Sequence, residues 1–361
     1  MGLAIQFNKI CLPLLVSIFF LQNLEAQGKK AQESGGQNYE IETLFEGDDV
    51  IWGFDFISSH QIIFTERKGK LKVLDLKTRK AEVVDGAPSV ASKGQGGLLD
   101  IRVLPGKQNE IYFTFSENVE KGMTTSLGKA TLAGSKVTDY RKIFSASAVS
   151  KNAIHFGSRI EFDGQGHLWI TVGDRNERQL AQDKTKHNGK ILKLKLDGSA
   201  PEIWSYGHRS PQGLFFSSKS NQLWMSEMGP RGGDEINLIS NGKNYGWPIV
   251  TYGKEYWGPS IGETEMAGFE QPMLYWVPSI SPSGMMIYEG ASFPKWKGHI
   301  FLATLSGQHL RRIEKQGDKL GSQYVMLSDH ELRFRNVRTG PDGHIYLSTD
   351  QGKLLRLIPK T

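Results

Sequence analysis

Apolar and polar residues alternate in short bursts, separated by polar turns, from about residue 40 to the end of the chain. The stretch "SSHQIIFTERKGKLKVLDL" (58–76) reads as turn, strand, turn, strand. The same grammar returns in "KQNEIYFTFSENV" (107–119), "DGQGHLWITVGDR" (163–175), "KSNQLWMSEMGP" (219–230), "WKGHIFLATLSGQHLRRI" (296–313) and "PDGHIYLSTDQGKLLRLI" (341–358). A period of two places successive side chains on opposite faces of a strand, and Gly, Asp and Asn mark the turns. The six units begin roughly 45 to 77 residues apart, the range of propeller blades with loop insertions. The pattern predicts an all-β chain, most economically a six-bladed β-propeller over residues 41–361. A pair of β-sandwiches also fits the length, but no Pro/Ser-rich linker after residue 40 divides the chain.

The first residues follow another pattern. Lys9 precedes an apolar run from Ile10 to Leu21, and a small residue, Ala26, follows. About a dozen apolar residues suit a signal-peptide core and fall short of a membrane span of roughly 20. The expectation is a signal peptide over 1–26, a periplasmic or secreted protein and no stable membrane insertion after cleavage. A retained anchor is the alternative. The polar stretch "QGKKAQESGGQN" within 27–40 reads as a flexible leader. The single cysteine, Cys11, lies in the apolar run, so a cleaved protein has neither a disulfide nor a catalytic thiol.

Charge narrows the partners. The net charge is +6, yet no block of five or six like charges occurs, so nucleic acid is not expected. A carboxylate-bearing small ligand suits the excess of Lys and Arg. In a propeller, loops from different blades converge on the central channel, so distant residues can share one pocket. His155 and Arg159 stand just ahead of the 163–175 unit. A lone histidine among nine is usually surface or core, but a loop histidine can also meet a ligand.

The motifs "GQGGLLDIRVLPG" (94–106), "HFGSRIEFDGQGHLWITVGDR" (155–175), "HNGKILKLKLDGS" (187–199), "YGHRSPQGLFF" (206–216), "LWMSEMGPRGGDEINLISNGKNYGWP" (223–248), "PSISPSG" (278–284) and "RFRNVRTGPDGHIYLSTD" (333–350) together resemble the soluble glucose/sorbosone dehydrogenases. The aldose sugar dehydrogenase branch is the nearest. That resemblance implies a periplasmic six-bladed propeller using pyrroloquinoline quinone (PQQ) and calcium. The implied reaction oxidises aldose sugars to lactones and passes electrons to an external acceptor. It makes His155 the general base and leaves Arg159 structural. It gives cofactor contacts to Gln95, Arg209, Ser210, Tyr256, Leu305, Ser306, Gly307, Arg333 and Arg335. The carbonyls of Gly229 and Pro230 are implied for the calcium that touches PQQ, and Glu235 with the Tyr245 carbonyl for a further calcium. Trp276 is the candidate sugar-facing wall, and Trp247 reads as buried packing. On residue chemistry alone, Arg333 and Arg335 share one strand face and suit carboxylates, while Gly94, Gly96 and Gly97 permit close backbone approach.

Two positions depart from the resembling pattern. Ser210 stands where the family has asparagine, and Ser306 where the glucose-oxidising branch has lysine. Two other function classes therefore stay open: a propeller binding module with a decayed PQQ pocket, and a calcium-dependent lactonase, which leaves the paired arginines unexplained.

Overall fold

The computed structural model describes Met1, the backbone of Gln32–Glu33 and residues 37–360. Apart from Met1, the predicted signal segment lies outside the described residues. Six antiparallel sheets follow one another in chain order. Blade one comprises Ile51–Ser58, Gln61–Glu66, Leu71–Asp75 and Ala81–Val83, and blade two Leu98–Leu104, Lys107–Val119, Gly122–Ala133 and Lys136–Ser145. Blade three comprises Ile160–Phe162, His167–Val172, Lys190–Lys195 and Glu202–Tyr206, and blade four Pro211–Ser217, Gln222–Glu227, Asp234–Ile239 and Leu274–Trp276. Blade five comprises Pro282–Ile287, Ile300–Thr304, Leu310–Gln316 and Lys319–Met326. Blade six takes Phe334–Thr339, Ile345–Thr349 and Lys353–Pro359 from the C-terminal end, and its outer strand, Tyr39–Glu46, from the N-terminal end. The first strand of each blade touches the first strands of its two neighbours, which closes a six-bladed β-propeller.

The six sequence units each fall on the second strand of a blade, in three cases with the third. Their alternation in composition is not an alternation in burial. Ile300–Thr304 and Ile345–Thr349 are buried throughout, and Gln61–Glu66, His167–Val172 and Gln222–Glu227 at every position but the first. Blades stack face on face, so both sides of a second strand are covered. The leader segment also differs from expectation. The closing strand starts at Tyr39, and Gln32–Glu33 pairs in parallel with Tyr324–Val325.

The channel is laced by a repeated device. A buried Ser or Thr near the end of a second strand bonds the next blade. The Thr65 hydroxyl donates to the Leu99 carbonyl (2.5 Å), that of Thr114 to Ser158 (2.7 Å), that of Thr171 to Pro211 (3.1 Å) and that of Ser226 to Ser283 (2.9 Å). The three threonines also accept from the inner strand of their own blade, at the amides of Gly53, Asp100 and Arg159. At the centre lies Arg159. Its Nε donates to the Gln212 carbonyl (2.6 Å) and its Nη2 to the Arg335 carbonyl (2.8 Å). Its Nη1 reaches the Trp52 carbonyl (3.4 Å) and Asp100 Oδ1 (3.3 Å). One side chain of blade three thus holds blades one, two, four and six. Farther along the same inner strands, Arg102 pairs with Asp55 and Glu161.

Removing a partner from a buried ion pair costs roughly 3–5 kcal/mol, because the other charge stays desolvated and unpaired. Arg159→Met is expected to lose stability of that order, since Asp100 and three carbonyls lose their donor. Thr171→Val, which removes one hydroxyl, should lose about 1–3 kcal/mol. Urea denaturation followed by tryptophan fluorescence measures both. Equal midpoints for Arg159→Met and the parent would remove Arg159 from its central place.

Candidate active site

Above Arg159 the channel opens into a cavity of about 350 Å³. Its walls include Trp52, Arg67, Gln95, Phe156, Ser210, Gln212, Arg333, Arg335 and Asp350. With Ser281 and Leu305 from blade five, all six blades contribute a lining residue or the loop that leads to one. The wall mixes polar groups with apolar side chains such as Trp52, Leu99 and Phe156, which suits a planar ligand bearing hydrogen-bonding groups.

His155 sits beside this cavity, buried, in the loop that enters blade three. Its φ of 53° places it in the left-handed region, uncommon for a non-glycine residue. Gly173 lets the chain fold this closely, because a Cβ there would lie 2.0 Å from the His155 carbonyl oxygen. The His155 amide donates to Gln95 Oε1 (2.8 Å), so Gln95 ties the histidine loop to the cavity wall. The ring Nδ1 lies 2.7 Å from Asp174 Oδ1. Trp247 Nε1 donates to Asp174 Oδ2 (2.8 Å), and the Asn176 amide donates to Oδ1 (2.8 Å). A carboxylate only accepts, so the Nδ1 proton faces Asp174 and the Nε2 lone pair is left for chemistry. No described residue hydrogen-bonds Nε2.

Burial lowers the His155 pKa from its ordinary value, and the charges of Arg209 and Arg175 push the same way against the pull of Asp174. The imidazole is therefore neutral at pH 7. Burial works against ionisation of Asp174, but the hydrogen bond and charge of His155, with Arg209, hold it below the usual carboxylate range.

Arg333 and Arg335 share one counter-ion. Asp350 accepts from Arg333 Nε (3.0 Å) and from Arg335 Nε (2.8 Å) and Nη2 (3.0 Å). Despite burial, those two cations keep Asp350 below the usual carboxylate range. With Arg67, the wall holds three guanidinium groups against one carboxylate, so the cavity favours an anion. This donor set fits a planar polycarboxylate such as PQQ. Glycines shape the same wall: a Cβ at Gly97 would lie 1.9 Å from the Arg67 carbonyl oxygen, so the close approach there is to the protein's own backbone.

Arg209 lies on the His155 side. Its Nη1 donates to the carbonyls of Met228 (3.1 Å) and Gly229 (2.7 Å), and its Nη2 to the Tyr256 hydroxyl (3.3 Å). Ser210 lines the cavity, with its carbonyl accepting from the Met228 amide. Leu305 also lines it. Ser306 bonds the Ser281 hydroxyl (2.6 Å) and the Gly307 amide donates to the Ile280 carbonyl, so these two brace the loop against "PSISPSG" and do not line the cavity.

The predicted metal ligands divide. The Gly229 carbonyl already faces the Arg209 cation, and Pro230 is buried against Gly253. The donor set at that pair therefore fits a cation poorly unless Arg209 shares the carbonyl. Glu235 fits better. It pairs across strands with Glu227, and burial, reinforced by the Glu227 charge, raises its pKa well above the ordinary value. Asn237 donates to it (3.0 Å) while the buried Asn237 Oδ1 finds no partner among the described residues. Glu227 is engaged by His208 (3.0 Å) and the Arg209 amide (2.7 Å), so the Glu235 carboxylate and the spare amide oxygen are the donors left for a hard cation. The Tyr245 ring stacks on His208 with centroids 4.9 Å apart. Among the described residues no group of three or more His, Cys, Asp or Glu side chains is placed to hold a metal. Asp234 is already saturated, accepting from the Gly229, Ile280 and Ser281 amides and the Ser279 hydroxyl.

One placement needs correction. Trp276 is not a wall of the cavity: it lies on the outer strand of blade four, only 8% exposed, packed with Trp224 and Met285. Its indole N–H donates to Gln323, so an aromatic beside a Pro/Ser-rich loop proves to be inter-blade core. The sequence reading also missed Asp174, Asp350 and Arg67, and saw only packing in Trp247. A signal was present. Second strands end in a hydroxyl residue followed closely by an acid: Thr65-Glu66, Ser116-Glu117, Thr171 with Asp174, Ser226-Glu227 and Ser348 with Asp350. Each acid faces a cation or histidine.

Comparison with known proteins agrees with this architecture. A sequence model of the family described as Glucose / Sorbosone dehydrogenase matches residues 48–356. The chain is 38% identical to aldose sugar dehydrogenase YliI of Escherichia coli (strain K12), over 89% of this chain and 93% of that protein. The apo crystal structure of the soluble Escherichia coli aldose sugar dehydrogenase superposes with a TM-score of 0.85 at 36% identity, covering 90% of this chain and all of that one (100%). The PQQ-bound aldose sugar dehydrogenase of Streptomyces coelicolor superposes with a TM-score of 0.75 at 25% identity, covering 91% of this chain and 100% of the other. The chain belongs to the glucose/sorbosone dehydrogenase family and is an oxidoreductase of that family.

Proposed function

We propose that the protein oxidises aldose sugars at the anomeric carbon to lactones, with PQQ and calcium as cofactors and His155 as general base. The observation that carries this reading is the chain Trp247–Asp174–His155, which ends in an unprotonated Nε2 beside a cavity lined with arginines. When bound, PQQ supplies the two-electron acceptor of the reaction. Arg333, Arg335 and Arg67 would hold its carboxylates, with Gln95, Ser210 and Leu305 along the same wall. His155 Nε2 takes the proton of the anomeric hydroxyl, and the sugar's C–H electron pair leaves as hydride. Asp174 fixes the tautomer and stabilises the imidazolium once it forms. Arg209 adds positive field where negative charge develops. Glu235 is the best-suited residue for calcium. Electrons then pass to an external acceptor, and the apolar N-terminal run supports export to the periplasm. No helix among the described residues is long and apolar enough to cross a membrane.

The alternative of a decayed binding module rests on Ser210 alone. Retention of a buried, tautomer-fixing Asp174 beside His155 favours catalysis, since a pocket without turnover gains little from it.

The founding test is reconstitution of the apo protein with PQQ and Ca²⁺, followed by aldose-dependent reduction of an artificial dye. His155→Gln should then bind PQQ normally and lose turnover by about 10²–10⁴-fold, the usual contribution of a general base. Unchanged turnover would place the base elsewhere. Arg335→Ala should weaken PQQ binding to the apo protein, read by absorbance titration, more than it raises the sugar KM. Exhaustive chelation should abolish activity and Ca²⁺ restore it.

The pH profile offers an independent check. The base acts when deprotonated, and the His155 pKa is lowered, so activity should persist as pH falls and drop only below about 6.5, the unperturbed histidine value. Asp174 raises the His155 pKa, so Asp174→Asn should move the acid limb of kcat/KM to still lower pH while reducing kcat. An acid limb moving upward in that variant would contradict the dyad.

A further inference from the structure

Arg175 is wholly buried and directly follows Asp174. It lies between the strand His167–Val172 and the helical turn Arg178–Ala181. Arg175 and Asn176 both have left-handed backbone, with φ of 58° and 62°. Two such non-glycine residues in a row are strained and persist only where their surroundings hold them.

Three contacts join the Arg175 side chain to the loop that carries His155. Nε donates to the Ile154 carbonyl (3.0 Å), and Nη2 donates to the Asn152 carbonyl. The guanidinium lies over the Phe156 ring, 3.6 Å from its centroid. Ile154 and Phe156 are the chain neighbours of His155, so one planar group grips the segment before and after the histidine. Phe156 also lines the cavity, so the grip extends to its wall. Glu177 adds to the hold by accepting from the Ser150 hydroxyl (2.9 Å). Gln95 completes it, taking the His155 amide at Oε1 and giving its own amide to the Ala153 carbonyl (2.8 Å).

Packing alone does not call for a charge here. The Arg175 hydrogen bonds go to carbonyls, and its buried Nη1 finds no partner among the described residues. Burial pulls its pKa down to about 10, so it still carries charge at neutral pH. An apolar side chain would fill the space without that desolvation. The charge does what an apolar residue could not: with Arg209 it opposes protonation of His155, against Asp174.

Resting on the proposed reaction, we infer that Arg175 is a positioning residue for the base. Its fork sets where His155 Nε2 stands at the cavity, and its fixed charge helps keep that nitrogen unprotonated. Asp174 orients the ring and Arg175 holds the loop, so adjacent residues govern both.

The test uses Arg175→Gln, which removes fork and charge, and Arg175→Lys, which keeps the charge without the planar fork. In the apo protein, NMR follows the imidazole titration of His155, its signal assigned by its loss in His155→Gln. In the loaded enzyme, kcat and kcat/KM are measured against pH. Each variant should lower kcat by roughly 10–100-fold, the range for a catalytic group displaced by up to about 1 Å. PQQ binding to the apo protein should weaken by a smaller factor. In Arg175→Gln, the His155 titration and the acid limb of kcat/KM should both move to higher pH, because a cation that opposed protonation is gone. In Arg175→Lys, both should stay where the parent has them. A loop that was merely loosened would shift both variants alike, since water reaching the ring eases protonation, and that result overturns the proposal. So does an unmoved titration in Arg175→Gln, or parental kcat in Arg175→Lys. If Arg175→Gln does not fold, Arg175→Lys decides alone, by the same two measurements. Should no preparation oxidise an aldose, the parent included, the reaction itself fails, and the apo titrations still decide the role of Arg175.

Discussion

Arg159 is the constraint on which the ring depends. Six blades pack face on face around a channel, and their inner strands leave carbonyl groups facing an interior that water cannot fully serve. A single guanidinium, with its donors in a fixed planar fork, satisfies carbonyls from blades one, four and six and one carboxylate from blade two. Burial pulls its pKa down to about 10, which leaves it charged at neutral pH. Lysine has the charge but not the fork, so it would reach fewer of these partners. The consequence for the site is geometric. The Arg335 carbonyl is fixed by Arg159 while the Arg335 side chain turns to Asp350 at the cavity. His155 stands four residues before Arg159 on the same segment. Scaffold and chemistry are therefore held by the two ends of one residue in one case and by adjacent residues in the other.

The blade count could be read from composition because each second strand repeats the same turn-and-alternation grammar. What alternation could not give was burial. Thr65, Thr114, Thr171 and Ser226 look like solvent-facing positions in sequence, yet each is buried and bonded across a blade boundary. Inner strands were the least legible elements. Ile160–Phe162 is three residues long, and its register is set by Asp100 and the Arg159 amide rather than by a pattern of its own. Ring closure by Tyr39–Glu46 was equally hidden, since nothing local tells an N-terminal strand that its partner is Lys353–Pro359.

Within the site, five of the residues that the resemblance supplied line the cavity: Gln95, Ser210, Leu305, Arg333 and Arg335. Those that act through another residue were missed. Asp174 and Trp247 do not line the cavity, yet they set which nitrogen of His155 is available. Trp276 fails in the opposite direction. An aromatic near a Pro/Ser loop suggested a sugar wall, but a strand-end tryptophan between two sheets gains more from burial against Trp224 than from exposure.

The charges that suit the cavity to an anion also govern the base. Burial, with the charges of Arg209 and Arg175, lowers the His155 pKa, which keeps imidazole deprotonated but makes it a weaker proton acceptor. Asp174 acts against them, and its effect grows when the ring becomes positive, because an imidazolium beside a carboxylate gains a charge-assisted hydrogen bond. An anionic ligand in the cavity pulls in the same direction as Asp174. Its negative charge offsets the arginines and raises the basicity of Nε2 in the loaded site. On the proposed reaction, a base kept neutral by burial and nearby cations, and strengthened by an anion in the cavity, is strongest where proton transfer is required.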